Sequence, residues 1–369
     1  CLETLPLWGS DFTRFTCCGK GMHKACTEEL QASAHRNKCP MCRTHAPTVH
    51  ENHRRALKWA EKGKAWAMDM IAGDYEHGRG VQKSEKTARL WYGRAAEQGH
   101  IQAQYNLGNM HYGGRGGPVS MEQARVWFGR AAEQGYVDAQ YDLGAMHGSG
   151  KGGPVSMGQA RVWYERAAEQ GDAGAQLNLG LMHYNGEGGP VSMKQARVWL
   201  GRAAELGDAQ AQLNLGIMLK EGQGGPVSME QARLWYERAA EHGVAQAQLN
   251  LGAMHNNGEG GPVSKKKARL WYERAAEQGD APAQYNLGNM HFDGRGGPVS
   301  MDQARVWFGR AAEQGFAPAQ YNFANMHREG KGGPVSMEQA RVWYKKAAEQ
   351  GVVQAQYNLV LMHSKGLAE

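Results

Sequence analysis

From about Trp66 the chain repeats itself every 36 residues, and no other feature restricts its fold as strongly. The prolines of a recurring Gly-Gly-Pro-Val-Ser segment stand at 118, 154, 190, 226, 262, 298 and 334, and one earlier unit lacks the proline but keeps Ser84 in phase. This gives about eight units without an insertion. A fixed period of this size means a solenoid, because a unit so short cannot bury its apolar face alone and must stack on its neighbours.

Each unit reads as two helices. The first is typified by Ala139 to His147 (AQYDLGAMH) and the second by Met157 to Gln170 (MGQARVWYERAAEQ). Ser120 precedes the second helix with Gln123 three residues on, the pattern of a capping box, and the pattern recurs at Ser156 with Gln159 and at Ser300 with Gln303. Gly135, Gly171 and Gly207 end the second helix, where a left-handed residue is easiest for glycine. The glycine- and proline-rich connector cannot continue a helix, so starts, stops and period agree.

The phrases A-x-x-L-G-x-M-H and A-R-x-W-Y-x-R-A-A-E-Q-G resemble the Sel-one-like repeat family, relatives of the tetratricopeptide repeat, over about residues 66 to 366. The resemblance implies a right-handed α-solenoid whose concave face binds protein partners and which acts as an adaptor rather than an enzyme. Where the family has tyrosine after the methionine, this chain has histidine, at His111, His147, His183, His255, His291, His327 and His363.

That histidine column reads as packing in the tyrosine slot. Units stacked one helix pair apart are about 10 Å apart, too far for two imidazoles to share one zinc at about 2.1 Å. The tryptophan column from Trp91 to Trp343 shares its helical phase with Ala124 and Ala131, so it reads as core. The connectors are not phosphate loops, since none runs into Lys-Ser or Lys-Thr. The units differ along the first helix, at Asn109, Ala145, Leu181 and Ile217 and again at Tyr112, Gly148, Tyr184 and Lys220. Partner contacts are expected there. Val360 stands where most units carry glycine, and the chain stops shortly after that first helix, which reads as a genuine end.

The chemistry is concentrated elsewhere. All six cysteines lie within the first 42 residues, and Cys39 with Cys42 forms C-x-x-C while His23 with Cys26 forms H-x-x-C. Two soft ligands two residues apart can grip one Zn²⁺ from a tight knuckle, and a segment too short for its own core gains folding energy from the metal. Disulfides are the alternative for an even cysteine count. A long cysteine-free remainder without a secretory signal favours a reducing compartment, cytoplasmic or nuclear.

Read in order, Cys1, Cys18, His23, Cys26, Cys39 and Cys42 resemble a RING finger with histidine at its fifth ligand, over about residues 1 to 46, and Cys39-Pro40-Met41-Cys42-Arg43 is the most specific part. The first ligand would lie upstream of Cys1, so the sequence reads as a fragment. Lys20 occupies a ligand place, and Cys17 can stand in for it. The resemblance implies one zinc on Cys17, Cys18, Cys39 and Cys42, and another on Cys1, His23, Cys26 and the upstream residue. His35, His45, His50 and His53 read as surface histidines. A saturated site has no open position, so one to two structural Zn²⁺ ions are expected and the work falls to the surface they hold. In RING fingers that surface binds a ubiquitin-conjugating enzyme, which places Pro40 on the contact and Arg43 where a guanidinium bridges enzyme and ubiquitin.

Between head and repeats, residues 44 to 50 form a polar link and Glu51 to Gly63 reads as a helix, with Ala56, Leu57, Trp59 and Ala60 as its stripe, capping the array as a half-repeat. Of the formal net charge of +6, residues 1 to 66 carry most, with eleven Lys and Arg against six Asp and Glu. No basic cluster with interleaved aromatics accompanies it, so no nucleic acid is expected. No apolar run is long enough to span a membrane.

The expected protein is therefore mainly α, a right-handed α-solenoid of helix pairs at 66–369, preceded by a zinc-stabilised RING-like module at 1–46 and a linker and capping helix at 47–65. Its expected function is that of a RING-type ubiquitin ligase or ligase subunit, recruiting the conjugating enzyme through the head and a substrate through the repeats, which raises their effective concentration. The alternative is a pure interaction scaffold, favoured by Lys20 and the missing first ligand. A hydrolase built on the histidine column lacks a cysteine or a recurring acidic partner.

Overall fold

The computed structural model describes residues 48–364 together with the backbone of two short strands, β1 (Phe12–Arg14) and β2 (Gly21–His23). The strands pair antiparallel, Phe12 opposite His23 and Arg14 opposite Gly21. The chain divides into two compact units, one of residues 1–182 with 186–190 and one of residues 183–185 with 191–369.

In the first unit the helices are α1 (Val49–Glu61), α2 (Ala65–His77), α3 (Glu85–Glu97), α4 (Ile101–Gly113), α5 (Met121–Glu133), α6 (Val137–Ser149) and α7 (Met157–Glu169). The same alternation continues through the second unit to the helix Val353–Ser364. Within each unit a helix packs chiefly on the helices before and after it in sequence. This is the layout expected when each helix pair can cover its apolar face only with the next pair.

The second helix of each repeat forms because its small and large apolar residues fall at helical spacing. In α5 the buried residues are Ala124, Trp127, Phe128, Ala131 and Ala132. Its start is fixed by Ser120, whose hydroxyl accepts from the Gln123 N–H at 3.3 Å. This is the forward bond of the expected capping box, and it recurs at Ser156 and Ser300. Both bonds of a box form at Thr48 and Glu51, so α1 begins at Val49, two residues before the sequence signal. The stop is Gly135, at φ +89.

The first helix, α4, buries Ala103, Gln104, Leu107, Gly108 and Met110 and ends on Gly114 at φ +69. Gly108 lies under the Phe128 ring, where an added Cβ would stand 2.6 Å from the ring carbons. Val360, the residue at this position in the final first helix, is 66% exposed.

A buried glutamine column, which the apolar periodicity does not reveal, crosses this frame. The Gln104 amide donates to the Ala96 carbonyl at 3.1 Å, and its oxygen accepts from Gln134 at 2.7 Å. The same link joins Gln170 to Gln140 and Gln278 to Gln248. At the equivalent of Gln134 the second unit has His242, and the buried Gln212 oxygen there has no partner among the described residues. His242→Gln is therefore expected to raise stability by about 1 kcal/mol, read as a higher denaturant midpoint, by pairing that oxygen. An unchanged or lower midpoint would mean that the orphan is satisfied in another way.

Candidate functional site

The histidine column is held by arginine. The Arg125 guanidinium, on α5, reaches across to the next repeat and donates to His147 Nδ1 on α6 at 2.6 Å. Its other nitrogen lies over Gly153 and donates to the Pro154 carbonyl at 3.5 Å. Arg89 holds His111 at 2.6 Å, Arg269 holds His291 at 2.8 Å and Arg305 holds His327 at 2.8 Å, while Arg233 donates to His255. A Cβ at Gly153 would meet the guanidinium at 2.3 Å, so a larger residue there would push the arginine from this position. The imidazoles thus act as neutral acceptors between repeats.

Burial, and then the adjacent arginine, lower the pKa of His111, His147, His291 and His327, and push His255 down to about 4. The unfolded chain binds these protons near the ordinary value of 6.5, so the stability is complete above that pH and is lost as pH falls below it. Burial raises Asp69 to about 7 and raises Asp142 as well, and these two groups act in the opposite direction. The expected result is a melting temperature that falls between about pH 7 and pH 5 more steeply in the parent than in His255→Gln. Equal slopes would remove His255 from this role.

The variable first-helix positions behave in two ways. At four positions of one column the side chain pairs with the following connector. Glu76 on α2 pairs with Arg115, Tyr112 on α4 accepts from Lys151 at 2.5 Å, and Lys220 meets Glu259 at 2.9 Å. Phe292 lies 4.8 Å beneath the Lys331 ammonium. At these positions the variable side chains link successive repeats. The other column, at Asn109, Ala145, Ile217 and Ala253, is half-buried, and Asn109 and Ala145 line a cavity of about 170 Å³.

Six tryptophans of the column, Trp127, Trp163, Trp199, Trp271, Trp307 and Trp343, are core, as their helical phase implied, and Trp91 and Trp235 are half-buried. Trp163 is 9% exposed and packs with Phe128, Leu143 and Met146. Each of Trp127, Trp163 and Trp307 carries an arginine over its ring at 4.5–4.6 Å.

Of the zinc ligands, His23 lies in β2, and Cys1, Cys17, Cys18, Cys26, Cys39 and Cys42, with Pro40 and Arg43, lie outside the described residues. His53 is not a surface histidine. It is 6% exposed and bonds the Asp74 carboxylate at 2.9 Å, which fastens α1 to α2. His50 bonds the Gly80 carbonyl at 2.8 Å. Among the described residues no group of three or more His, Cys, Asp or Glu could hold a metal, and no helix is long and apolar enough to cross a membrane.

Stacked helix pairs with an invariant frame and a variable first-helix column define a helical-repeat scaffold for protein–protein interaction. The chain belongs to the Sel1 repeat family, whose model matches residues 48–64, 67–100 and each successive 36-residue segment from 101–136 to 317–352. A protective antigen of uropathogenic Escherichia coli, described as displaying an SLR fold, is 34% identical over 85% of this chain and 68% of its own, with a TM-score of 0.80. A Sel1 repeat protein from Oxalobacter formigenes is 32% identical over 84% of this chain and 89% of its own, with a TM-score of 0.66. A search of curated proteins found no match.

Proposed function

We propose that this chain is a non-catalytic scaffold that binds a protein partner on the first helices of its repeats. The observation that carries this reading is where variation falls. Residues that join repeats, such as Ala124, Trp163, Gln140 and Arg125, recur from unit to unit, whereas Asn109, Ala145, Leu181 and Ile217 differ. A photo-crosslinking residue at Ile217 or Ala253 should label a partner in cells, and one at the exposed Val126 on the second helix should not. Labelling from Val126 alone would move the binding face to the second helices.

A narrower reading adds the head. The string Cys39-Pro40-Met41-Cys42-Arg43, behind His23 and Cys26, supports a structural zinc module and, with Pro40 and Arg43 as its contact residues, a RING-type ligase that recruits a ubiquitin-conjugating enzyme. Zinc analysis of freshly reduced protein should give one to two ions. Self-ubiquitination that weakens in Arg43→Ala and vanishes in Cys39→Ala would establish the ligase. Zinc-loaded protein that forms no chains with a panel of conjugating enzymes would leave the scaffold alone.

A further inference from the structure

Repeat 137–172 departs from its neighbours along its first helix. Asp142 stands where Asn106, Asn178 and the later units through Asn358 all carry asparagine, and Ala145, Gly148 and Ser149 are small. The missing bulk leaves the 170 Å³ cavity noted above. Its apolar walls are Tyr112, Phe128, Ala145 and Met146, and Asn109 and Asp142 supply polar groups.

The remaining polar lining is already engaged. The Ser149 hydroxyl donates to the Ala145 carbonyl at 2.8 Å, and the exposed Lys151 ammonium is held by the Tyr112 hydroxyl and ring. Asp142 is different in kind. Burial raises its pKa, Asp138 and Asp172 press in the same direction, and the Tyr105 side chain bonds it. Asp142 is half-buried in the lining, and with Asp138 and Asp172 within electrostatic reach against the one lining cation, Lys151, the site is negative and gains from a positive charge.

We propose that this cavity receives a single lysine or arginine side chain of the bound partner, its aliphatic stem against Phe128 and Met146 and its charged head at Asp142. The proposal rests on the scaffold reading and deepens it. A long basic side chain suits such a site, since its methylenes cover apolar walls while the charge meets the carboxylate.

The test selects binders to the full chain from a displayed random-peptide library. Two variants borrow residues from sister repeats, so that the frame is kept. Asp142→Asn removes the charge, and Ala145→Leu fills the cavity. Selected peptides should share a basic residue, and synthetic copies should weaken roughly tenfold or more when that residue becomes norleucine, when Asp142 becomes Asn, and when Ala145 becomes Leu. Peptides that bind the first helices equally well after all three changes would overturn the pocket and leave the scaffold standing. A library that yields no binder to the full chain would overturn both.

Discussion

Gly152→Ala is expected to destabilise the chain by about 3–5 kcal/mol, through left-handed strain and overpacking together. Gly152 sits at φ +73, and a Cβ there would stand 2.2 Å from the Met121 carbonyl oxygen at the start of α5. Both partners are backbone, so no rotamer change relieves the contact. Gly171 is the control. It has φ +92 with nothing within 4 Å of a Cβ, so Gly171→Ala should cost only the left-handed strain, about 1–2 kcal/mol. Denaturant unfolding followed by circular dichroism reads the difference. Because neighbouring repeats contribute nearly independent interface terms, the Gly152 variant should also unfold over a broader range. Equal losses in the two variants would show that the close approach carries no weight.

Trp163→Ala should be comparably severe, at about 3–5 kcal/mol. The indole is 9% exposed and fills the space among Phe128, Leu143 and Met146, so it ties α7 to α5 and α6. The stacked Arg166, 4.6 Å from the ring, adds the smaller part. Arg166→Ala is therefore expected to cost no more than about 1 kcal/mol. If the arginine change matched the tryptophan change, the cation over the ring rather than burial would dominate this contact.

The helices were legible because their signals are local. Ser120 and Gln123 are three residues apart, Gly135 ends the helix that they open, and the 36-residue period places every copy. The contacts between repeats were not legible in the same way. Arg125 meets His147 only 22 residues on, and Gln134 reaches Gln104 across 30, so neither pair is a neighbour until the repeats stack. The spacing marks the histidine column as packing but does not name the arginine that holds it. A periodic Arg and a periodic His at a fixed offset were the available signal. His53 reads as a surface histidine for the same reason, since its partner Asp74 lies on the next helix. The pairing of Tyr112 and of Lys220 is hidden in the sequence because each partner lies 39 residues away, in the connector of the next repeat.

Those 39-residue pairs have a consequence for assembly. Units so alike present almost interchangeable stacking surfaces, and a chain of them could thread with one unit skipped while keeping its alanines and tryptophans buried. Lys220 meets Glu259 in the native order. With one unit skipped it would face Arg295 instead, turning the attraction into repulsion. The pairs thus act as addresses on otherwise equivalent bricks. Two units exchanged whole would keep their core and lose their place.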